Sequence, residues 1–209
     1  MKQTLIIAAI AAATMVSCGP AKQAVSNPVS DAEKVAKSLM SQGYQLTGGM
    51  ATYTLESLIQ RHNDKLNTDQ DRYVSVQGTS EGVGMEDLSS AKIVALNDAA
   101  AQYATKAGSV IEGGMSFQFG NVDADKRKKL VGAYTQKVES FILPAMKESF
   151  SVYRVVGKEY QVLTTCIIDE QLAVKSREKA MKEAFEDLSF DGLALDKIND
   201  LVKKIVGKE

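Results

Sequence analysis

The feature that most restricts the fold of this chain is a pair of alternating runs on either side of Gly157. Residues 150–156 and 160–168 each alternate with a period of two, which is typical of β-strands. Gly157 and Lys158 separate the runs, and a two-residue turn that begins with glycine favours a type II′ hairpin. The residues predicted to face each other across this hairpin are Phe150, Val152 and Val156 in the first strand, and Tyr160, Val162, Thr164, Cys166 and Ile168 in the second.

Two helices are predicted in the amino-terminal part of the chain. Ser30 and Glu33 have the spacing of a capping box, in which both side chains hydrogen-bond free backbone amides at a helix start. Gly43 ends this first helix, and a second is expected over about residues 51–66, after a turn at Gly48 and Gly49. The predicted apolar faces hold Val35, Ala36, Leu39 and Met40 in the first helix, and Leu55, Leu58, Ile59, His62 and Leu66 in the second.

In the middle of the chain the spacing of apolar residues changes from that of a strand to that of a helix, and then back to that of a strand. Val74 and Val76 alternate with polar neighbours, which predicts a strand that begins near residue 72 and is closed by the glycines at 78, 82 and 84. Residues 87–111 then form a predicted helix whose many alanines would permit close approach to a sheet. Its predicted apolar face holds Ile93, Leu96, Ala100, Tyr103, Ala107 and Val110. A further strand is expected over residues 115–119.

Three more helices complete the prediction. The first covers about residues 123–141 and ends near Pro144, because proline cannot continue a helix. The two carboxy-terminal helices carry Met181, Ala184, Phe185 and Leu188, and then Leu195, Ile198, Val202 and Ile205. The expected class is α+β, with an antiparallel or mixed sheet packed against helices. We expect one domain over residues 31–209, with a helical part at 31–71, a core module at 72–170 and a helical extension at 171–209.

The amino terminus has the features of a secretory signal peptide. Lys2 precedes an apolar and small-residue stretch at 5–16, and a small residue, Ser17, follows. About twelve helical residues rise only about 18 Å, against a hydrocarbon core of about 30 Å. The stretch therefore predicts a cleaved signal over residues 1–17 rather than a stable membrane span.

Cys18 makes this prediction more specific. The sequence Met15-Val16-Ser17-Cys18 resembles the bacterial lipobox, although leucine is more usual than Met15. The resemblance implies lipidation of the Cys18 thiol, cleavage just before it and acylation of its new amine. Two or more acyl chains give stable anchoring, since each buried methylene contributes about 0.8 kcal/mol. One alternative is an ordinary secretory peptide in which Cys18 stands by chance, and another is a cytoplasmic protein with an apolar start.

Residues 18–30 are predicted to form the lipidated cysteine and a flexible tether. The tether is predicted because these residues are mostly small and polar and include two prolines. A lipidated Cys18 would leave Cys166 without an intramolecular partner, so we expect no disulfide. The net charge of −1 indicates no general attraction to nucleic acid. Homo-oligomer formation is left open.

Three segments carry a resemblance to a known family. They are Tyr73-Val74-Ser75-Val76-Gln77-Gly78-Thr79, residues 91–100 and residues 156–162. Over about residues 72–170 the chain resembles small bacterial envelope lipoproteins that share an α/β module with the amino-terminal domain of flagellar assembly protein T, and it is similar to lipoproteins of Bacteroidetes. The resemblance implies a non-catalytic envelope role in assembly, scaffolding or surface interaction.

The same resemblance bears on localisation. Surface display in Bacteroidetes-type lipoproteins is associated with acidic residues directly after the anchoring cysteine, and here the first acid is Asp31. It therefore implies an outer-membrane lipoprotein that faces the periplasm, with another envelope protein as its partner. It implies no catalytic residue, cofactor or metal.

Two residues are candidates for nucleophilic chemistry. His62 is the only histidine, so a multi-histidine metal site is excluded and any serine-histidine-acid triad would have to use it. Its place on an apolar helix face favours a histidine bonded within the core. Cys166 could pair with His62 as a thiolate nucleophile. Its place in an alternating strand favours a buried, inert thiol instead.

The remaining motifs are weaker. Asn121, Asp123 and Asp125 imitate the first ligands of a calcium loop, but the sixth and twelfth positions lack the required glycine and glutamate. We expect these carboxylates at a helix start, where they interact favourably with the dipole. The basic run at 126–129 could contact phosphate on lipid or lipopolysaccharide, although such runs are usually solvated. Neither a phosphate loop nor a dinucleotide fingerprint is present.

These observations favour a membrane-anchored, non-enzymatic interaction lipoprotein. Two alternatives remain open at this point. One is a carrier of small molecules or lipids, which requires a deep apolar cavity. The other is a hydrolase of envelope polymers, which requires clustered acids in a cleft.

Overall fold

The computed structural model describes residues 28–48, 52–81, 87–118 and 123–188. Over these residues it has the predicted α+β class, with five helices and a four-stranded antiparallel sheet. The elements in chain order are α1 (Pro28–Ser41), β1 (Gln45–Leu46), α2 (Leu55–Thr68), β2 (Tyr73–Ser80), α3 (Leu88–Gln118), α4 (Ala124–Ile142), a short 3₁₀ turn (Leu143–Ala145), β3 (Met146–Val156), β4 (Glu159–Asp169) and α5 (Glu170–Asp187). The predicted signal peptide, Cys18, the tether up to residue 27 and the second carboxy-terminal helix lie outside the described residues.

The sheet has the strand order β1-β3-β4-β2. The predicted hairpin is confirmed as β3 and β4, and Val156 pairs with Glu159 across a two-residue turn. Gly157 has a φ of +67°, which a glycine adopts without the steric cost of a Cβ. β4 pairs with β3 on one side and β2 on the other, and its residues 162–168 are all buried.

The prediction of which side chains of the two hairpin strands face each other is wrong. A two-residue turn pairs even-numbered residues of β3 with odd-numbered residues of β4, so Phe150 lies opposite Thr165 and Val152 opposite Leu163. The expected partners, Val162, Thr164, Cys166 and Ile168, point to the other face of the sheet, because successive side chains in a strand alternate. A register shift between Glu148 and Phe150 then changes the pairing again, and Glu148 lies opposite Cys166.

Helices cover both faces of the sheet. On one face, α1 and α2 pack on β3 and β4 through a core of Ala32, Ala36, Leu39, Leu55, Leu58, Ile59, Phe150, Val152 and Leu163. On the other face lies α3, whose carboxy-terminal half packs against α4 and α5. The larger side chains of that second core are Tyr103, Ile111, Met115, Leu130, Tyr134, Val138, Ile142, Ile168 and Met181.

The close approach of the alanine-rich helix to the sheet is also confirmed. Ala91 and Ala95 of α3 are buried against Val162 of β4. A Cβ at Gly78 would overlap backbone atoms of Ala95 and Ala99, so only glycine allows β2 and α3 to come this close. The prediction that Gly78 closes β2 is wrong, because the strand continues to Ser80.

Several predicted helix faces are partly wrong. In α1 the prediction is confirmed for Ala36 and Leu39, which are buried. Val35 and Met40 are 45% and 55% exposed, and Ala32 is buried in their place. In α3, Ile93 is 60% exposed, because the alanine face packs on the sheet. The predicted face of α2 is confirmed through His62, whereas Leu66 is half-buried.

Helix starts also differ slightly from prediction. The helix α1 begins at Pro28, two residues before the predicted capping serine, so Ser30 lies in its first turn. Proline is well suited to a first helical turn because its fixed φ is already helical. The helix α2 begins at Leu55, and Thr54 caps it by accepting a hydrogen bond from the Ser57 amide.

The predicted strand at residues 115–119 is wrong, since α3 continues through it to Gln118. Met115 is fully buried and lies four residues after Ile111, which is also buried. This helical spacing extends the packing of α3 on α4 and α5, so the local alternation is overridden by tertiary contacts.

Candidate functional site

His62 lies on the buried face of α2, one turn after Leu58, and points at the sheet. Its Nδ1 atom lies 2.9 Å from Ser149 Oγ, and its Nε2 atom lies 2.9 Å from Ser75 Oγ. The ring also meets Phe150 edge-on, with the ring centroids 6.1 Å apart. The side chain is 7% exposed, and this burial lowers the pKa of His62 to about 4. The prediction of a histidine bonded within the core is confirmed.

Both ring nitrogens of the His62 imidazole are engaged in hydrogen bonds. A neutral histidine offers one N–H donor and one ring-nitrogen acceptor, and here each nitrogen has a serine hydroxyl as its partner. A catalytic triad would instead place an acid on one nitrogen to orient the ring. His62 therefore acts as a neutral bridge between β2 and β3.

Sequence reasoning missed Ser149. It occupies the register shift between Glu148 and Phe150, where β3 has one more residue than its partner strand. The shift turns Ser149 toward His62. The only signal in the sequence is a break in alternation before Phe150, which does not identify the partner.

A groove opens beside His62, between α2, the start of β3 and the start of α5. We call it the α2–β3 groove. Its volume is about 650 Å³, within the range of about 300–1,000 Å³ typical of small-molecule sites. Its apolar lining consists of Leu58, Tyr73, Pro144, Ala145, Met146, Ile167 and Leu172, and its polar lining consists of Arg61, His62, Lys65, Lys147, Glu148, Ser149 and Asp169.

Three exposed cations border the groove. Arg61 lies over the ring of Tyr53 at 4.3 Å, and Lys65 lies over Tyr73 at 4.0 Å, so aromatic rings help to hold both charges. Lys147 is exposed at the start of β3. Within the described residues none of the three cations forms an ion pair.

The two acids of the groove are already neutralised. Glu148 binds Lys92 of α3 at 2.8 Å. Asp169 accepts a hydrogen bond from Arg72 at 2.7 Å, and this bond is the main reason why the pKa of Asp169 is lowered. Asp169 also caps α5 by accepting from the Gln171 amide. The groove therefore combines an apolar lining with a net positive border.

Cys166 lies on the opposite face of the sheet from His62. It pairs in register with Val76, whereas His62 binds the neighbouring Ser75, which points the other way. Cys166 is fully buried, and burial, followed by the charge of Glu148, raises the pKa of its thiol to about 12. The pairing of Cys166 with His62 is wrong, and the prediction of a buried thiol is confirmed.

The other sequence candidates occupy ordinary structural positions. Asp123 caps α4 by accepting hydrogen bonds from the amides of Asp125 and Lys126, as expected for a helix start. Asn121 lies outside the described residues. The basic run at 126–129 occupies the first turns of α4, where all but the half-buried Arg127 are exposed. In the part of the chain that the structure describes, no group of three or more histidine, cysteine, aspartate or glutamate side chains could hold a metal ion.

The described residues thus define an α+β protein with a groove at one end of its sheet. Comparisons with protein-family models, curated proteins and solved structures find no match for this chain. Among the helices that the structure describes, none combines the length and hydropathy needed to cross a membrane.

Proposed function

We propose that this chain is a lipoprotein of the bacterial envelope, anchored through lipid on Cys18, whose folded domain binds a partner without catalysing a reaction. The anchor rests on Met15-Val16-Ser17-Cys18 and the apolar stretch before it. The absence of an acidic residue between Cys18 and Asp31 supports a location at the outer membrane, facing the periplasm.

The observation that carries the non-catalytic role is the environment of His62. Both of its ring nitrogens are used by serine hydroxyls, and its low pKa keeps it neutral at pH 7. The buried Cys166 thiol, with its raised pKa, is a poor nucleophile. The acids Glu148 and Asp169 are each ion-paired, which argues against the hydrolase alternative.

A second candidate function is supported by the α2–β3 groove. A volume of about 650 Å³ with an apolar lining suits a carrier of small molecules or lipids. The two candidates differ in their partner, which is an envelope protein in the first and a small ligand in the second. Both are compatible with the same anchor.

The anchor is tested by feeding radiolabelled palmitate to cells that express the full chain. We expect label in the wild type and in Cys166→Ala, which is the matched control for loss of a cysteine. Cys18→Ala should carry none, because its thiol and its new amine are the predicted acylation sites. Equal labelling of wild type and Cys18→Ala would contradict the anchor.

The interaction role is tested by crosslinking in intact envelopes. We expect one envelope protein to be recovered repeatedly with the wild type and to be lost with Cys18→Ala, because the unanchored chain is not held near that partner. Protease added to whole cells should leave the domain intact until the outer membrane is permeabilised. Repeated recovery of no specific protein would contradict the interaction role, and cleavage in whole cells would contradict the periplasmic location.

A further inference from the structure

We propose that the α2–β3 groove binds a long-chain carboxylate of the fatty-acid type, with the acyl chain along the apolar lining and the carboxylate at the cationic border. This inference rests on the carrier function proposed above and names its ligand class. It concerns non-covalent binding in the groove and is separate from the covalent lipid on Cys18.

The apolar lining comes from several separate elements of the fold. Leu58 projects from α2, Met146 starts β3, and Ile167 lies near the end of β4. Leu172, in the first turn of α5, forms part of the wall and is 52% exposed. An exposed leucine beside buried apolar residues gives an acyl chain a continuous surface that its binding would remove from water.

The charges at the border of the groove determine which ligand charge it favours. Arg61, Lys65 and Lys147 border the groove without an acidic partner among the described residues. Since Glu148 and Asp169 are bound to Lys92 and Arg72, they do not offset these cations. The chain as a whole carries a net charge of −1, whereas the border of the groove is positive. The groove therefore complements an anion.

The helix start at the groove favours a carboxylate over a phosphate. Phosphate sites commonly use the free backbone amides at a helix N-terminus. The N-terminus of α5 borders the groove, but the Asp169 carboxylate already accepts from the Gln171 amide there. The donors that remain are the side chains of exposed cations, so the head group is bound by side-chain charge and not by backbone amides.

The test uses the full chain, purified from membranes and reconstituted in phosphatidylcholine nanodiscs. The probes are diazirine derivatives of hexadecanoate, of neutral hexadecanol and of hexadecyl phosphate, with crosslinked peptides identified by mass spectrometry. We expect hexadecanoate to crosslink to peptides of α2 and the start of β3, and to half-saturate at a concentration at least about tenfold lower than hexadecanol.

Two kinds of variant test the groove directly. Leu172→Glu places a negative charge in the apolar wall and should weaken hexadecanoate binding at least about tenfold, whereas Ile93→Glu, on the exposed side of α3, should not. Lys65→Gln and Lys147→Gln should each weaken it by up to about fivefold, the range for exposed ion pairs. The matched control is Lys129→Gln on α4. The lysine variants keep the test valid if Leu172→Glu fails to fold, which circular dichroism would reveal.

Three results would overturn the proposal. They are equal binding of hexadecanoate and hexadecanol, tighter binding of hexadecyl phosphate than of hexadecanoate, and crosslinks that map outside the groove. None of them would affect palmitate labelling at Cys18 or the recovery of an envelope partner. Equal binding of hexadecanoate and hexadecanol within the groove would reject the carboxylate and leave the carrier function in place, whereas crosslinks outside the groove would contradict both.

Discussion

His62 is buried as a neutral imidazole because Ser75 and Ser149 satisfy both of its nitrogens. A buried polar group left without a partner would cost about 1–3 kcal/mol. The two serines come from strands that are not adjacent, since β4 lies between β2 and β3. One side chain of α2 thereby fixes the helix across the sheet at the edge of the α2–β3 groove.

The stability of the protein should fall in acid because of His62. An unfolded histidine titrates near 6.5, whereas the folded His62 has a pKa of about 4. Between these values the unfolded chain binds the extra proton, so the free energy of unfolding decreases as the pH falls from 6.5 to 4 and is unaffected by His62 above this window. The full effect is about 3 kcal/mol.

The measurement is urea denaturation at a series of pH values, with His62→Gln as the control. Glutamine retains a donor and an acceptor but does not titrate. Carboxylates contribute to both curves, so the quantity of interest is the difference between them. Parallel curves for wild type and His62→Gln between pH 4 and 6.5 would show that His62 does not have the lowered pKa.

The helix α3 packs in two different ways along its length. Its first half presents alanines to the sheet, including Ala91, Ala95 and Ala99. Its second half presents larger side chains such as Ile111 and Met115 to α4 and α5. Small residues bring the backbone close to β2, whereas large ones fill the wider space between helices.

Gly78→Ala should be strongly destabilising because the added Cβ would overlap the α3 backbone at Ala95 and Ala99. Overpacking of a core typically costs about 1–3 kcal/mol, and we expect the upper end of that range since backbone cannot rotate away. The control is Gly113→Ala within α3, where a Cβ meets no atom within 4 Å apart from its chain neighbours and the backbone of its own helix. It should stabilise the protein by about 0.5–1 kcal/mol through helix propensity.

Chemical denaturation of the two variants checks this prediction. The midpoint should shift in opposite directions, and the slope should remain that of the wild type. A Gly78→Ala protein as stable as wild type would mean that β2 and α3 do not approach each other so closely.

Over the residues that the structure describes, the sheet is enclosed by helices on both faces. α1 and α2 cover one face, and α3 covers the other with α4 and α5 behind it. A buried polar cluster connects α3 to α5: Arg177 binds Glu170 at 2.7 Å, and Glu170 accepts a hydrogen bond from Tyr103 at 3.2 Å. This cluster therefore joins α3 to α5 on one side of the sheet.

Counting thiols in the full chain tests the enclosed core and the anchor together. The protein purified from membranes in mild detergent should show no rapid reaction with a thiol reagent at pH 8, because Cys166 is buried and its pKa is about 12. After denaturation in guanidinium, one thiol should react, since Cys18 is predicted to be lipidated. Cys166→Ala should then show none.

Each departure from that count has a distinct meaning. Two reactive thiols in the denatured wild type would contradict lipidation of Cys18. A fast reaction of the native protein that is absent from Cys166→Ala would contradict the burial of Cys166.

Much of the fold could be predicted from local patterns. The hairpin turn at Gly157, the helix ended near Pro144 and the buried positions of His62 and Cys166 all follow from periods of two or 3.6 and from residues with restricted backbone geometry. These signals are local, because each depends on residues within a turn or two of one another. The same kind of signal predicts the anchor at Cys18.

The rest was decided by contacts between distant residues. Ile93 and Ala91 both fit a helix, and only the docking of α3 on the sheet decides that alanine is buried. The residue that lies opposite Cys166 depends on the pairing register of β3 and β4, which the turn and the shift at Ser149 determine together. The α2–β3 groove combines α2, β3, β4 and α5, and no local pattern predicts it. Periodicity determines which face a residue occupies on its own element, whereas tertiary packing alone determines what that face meets.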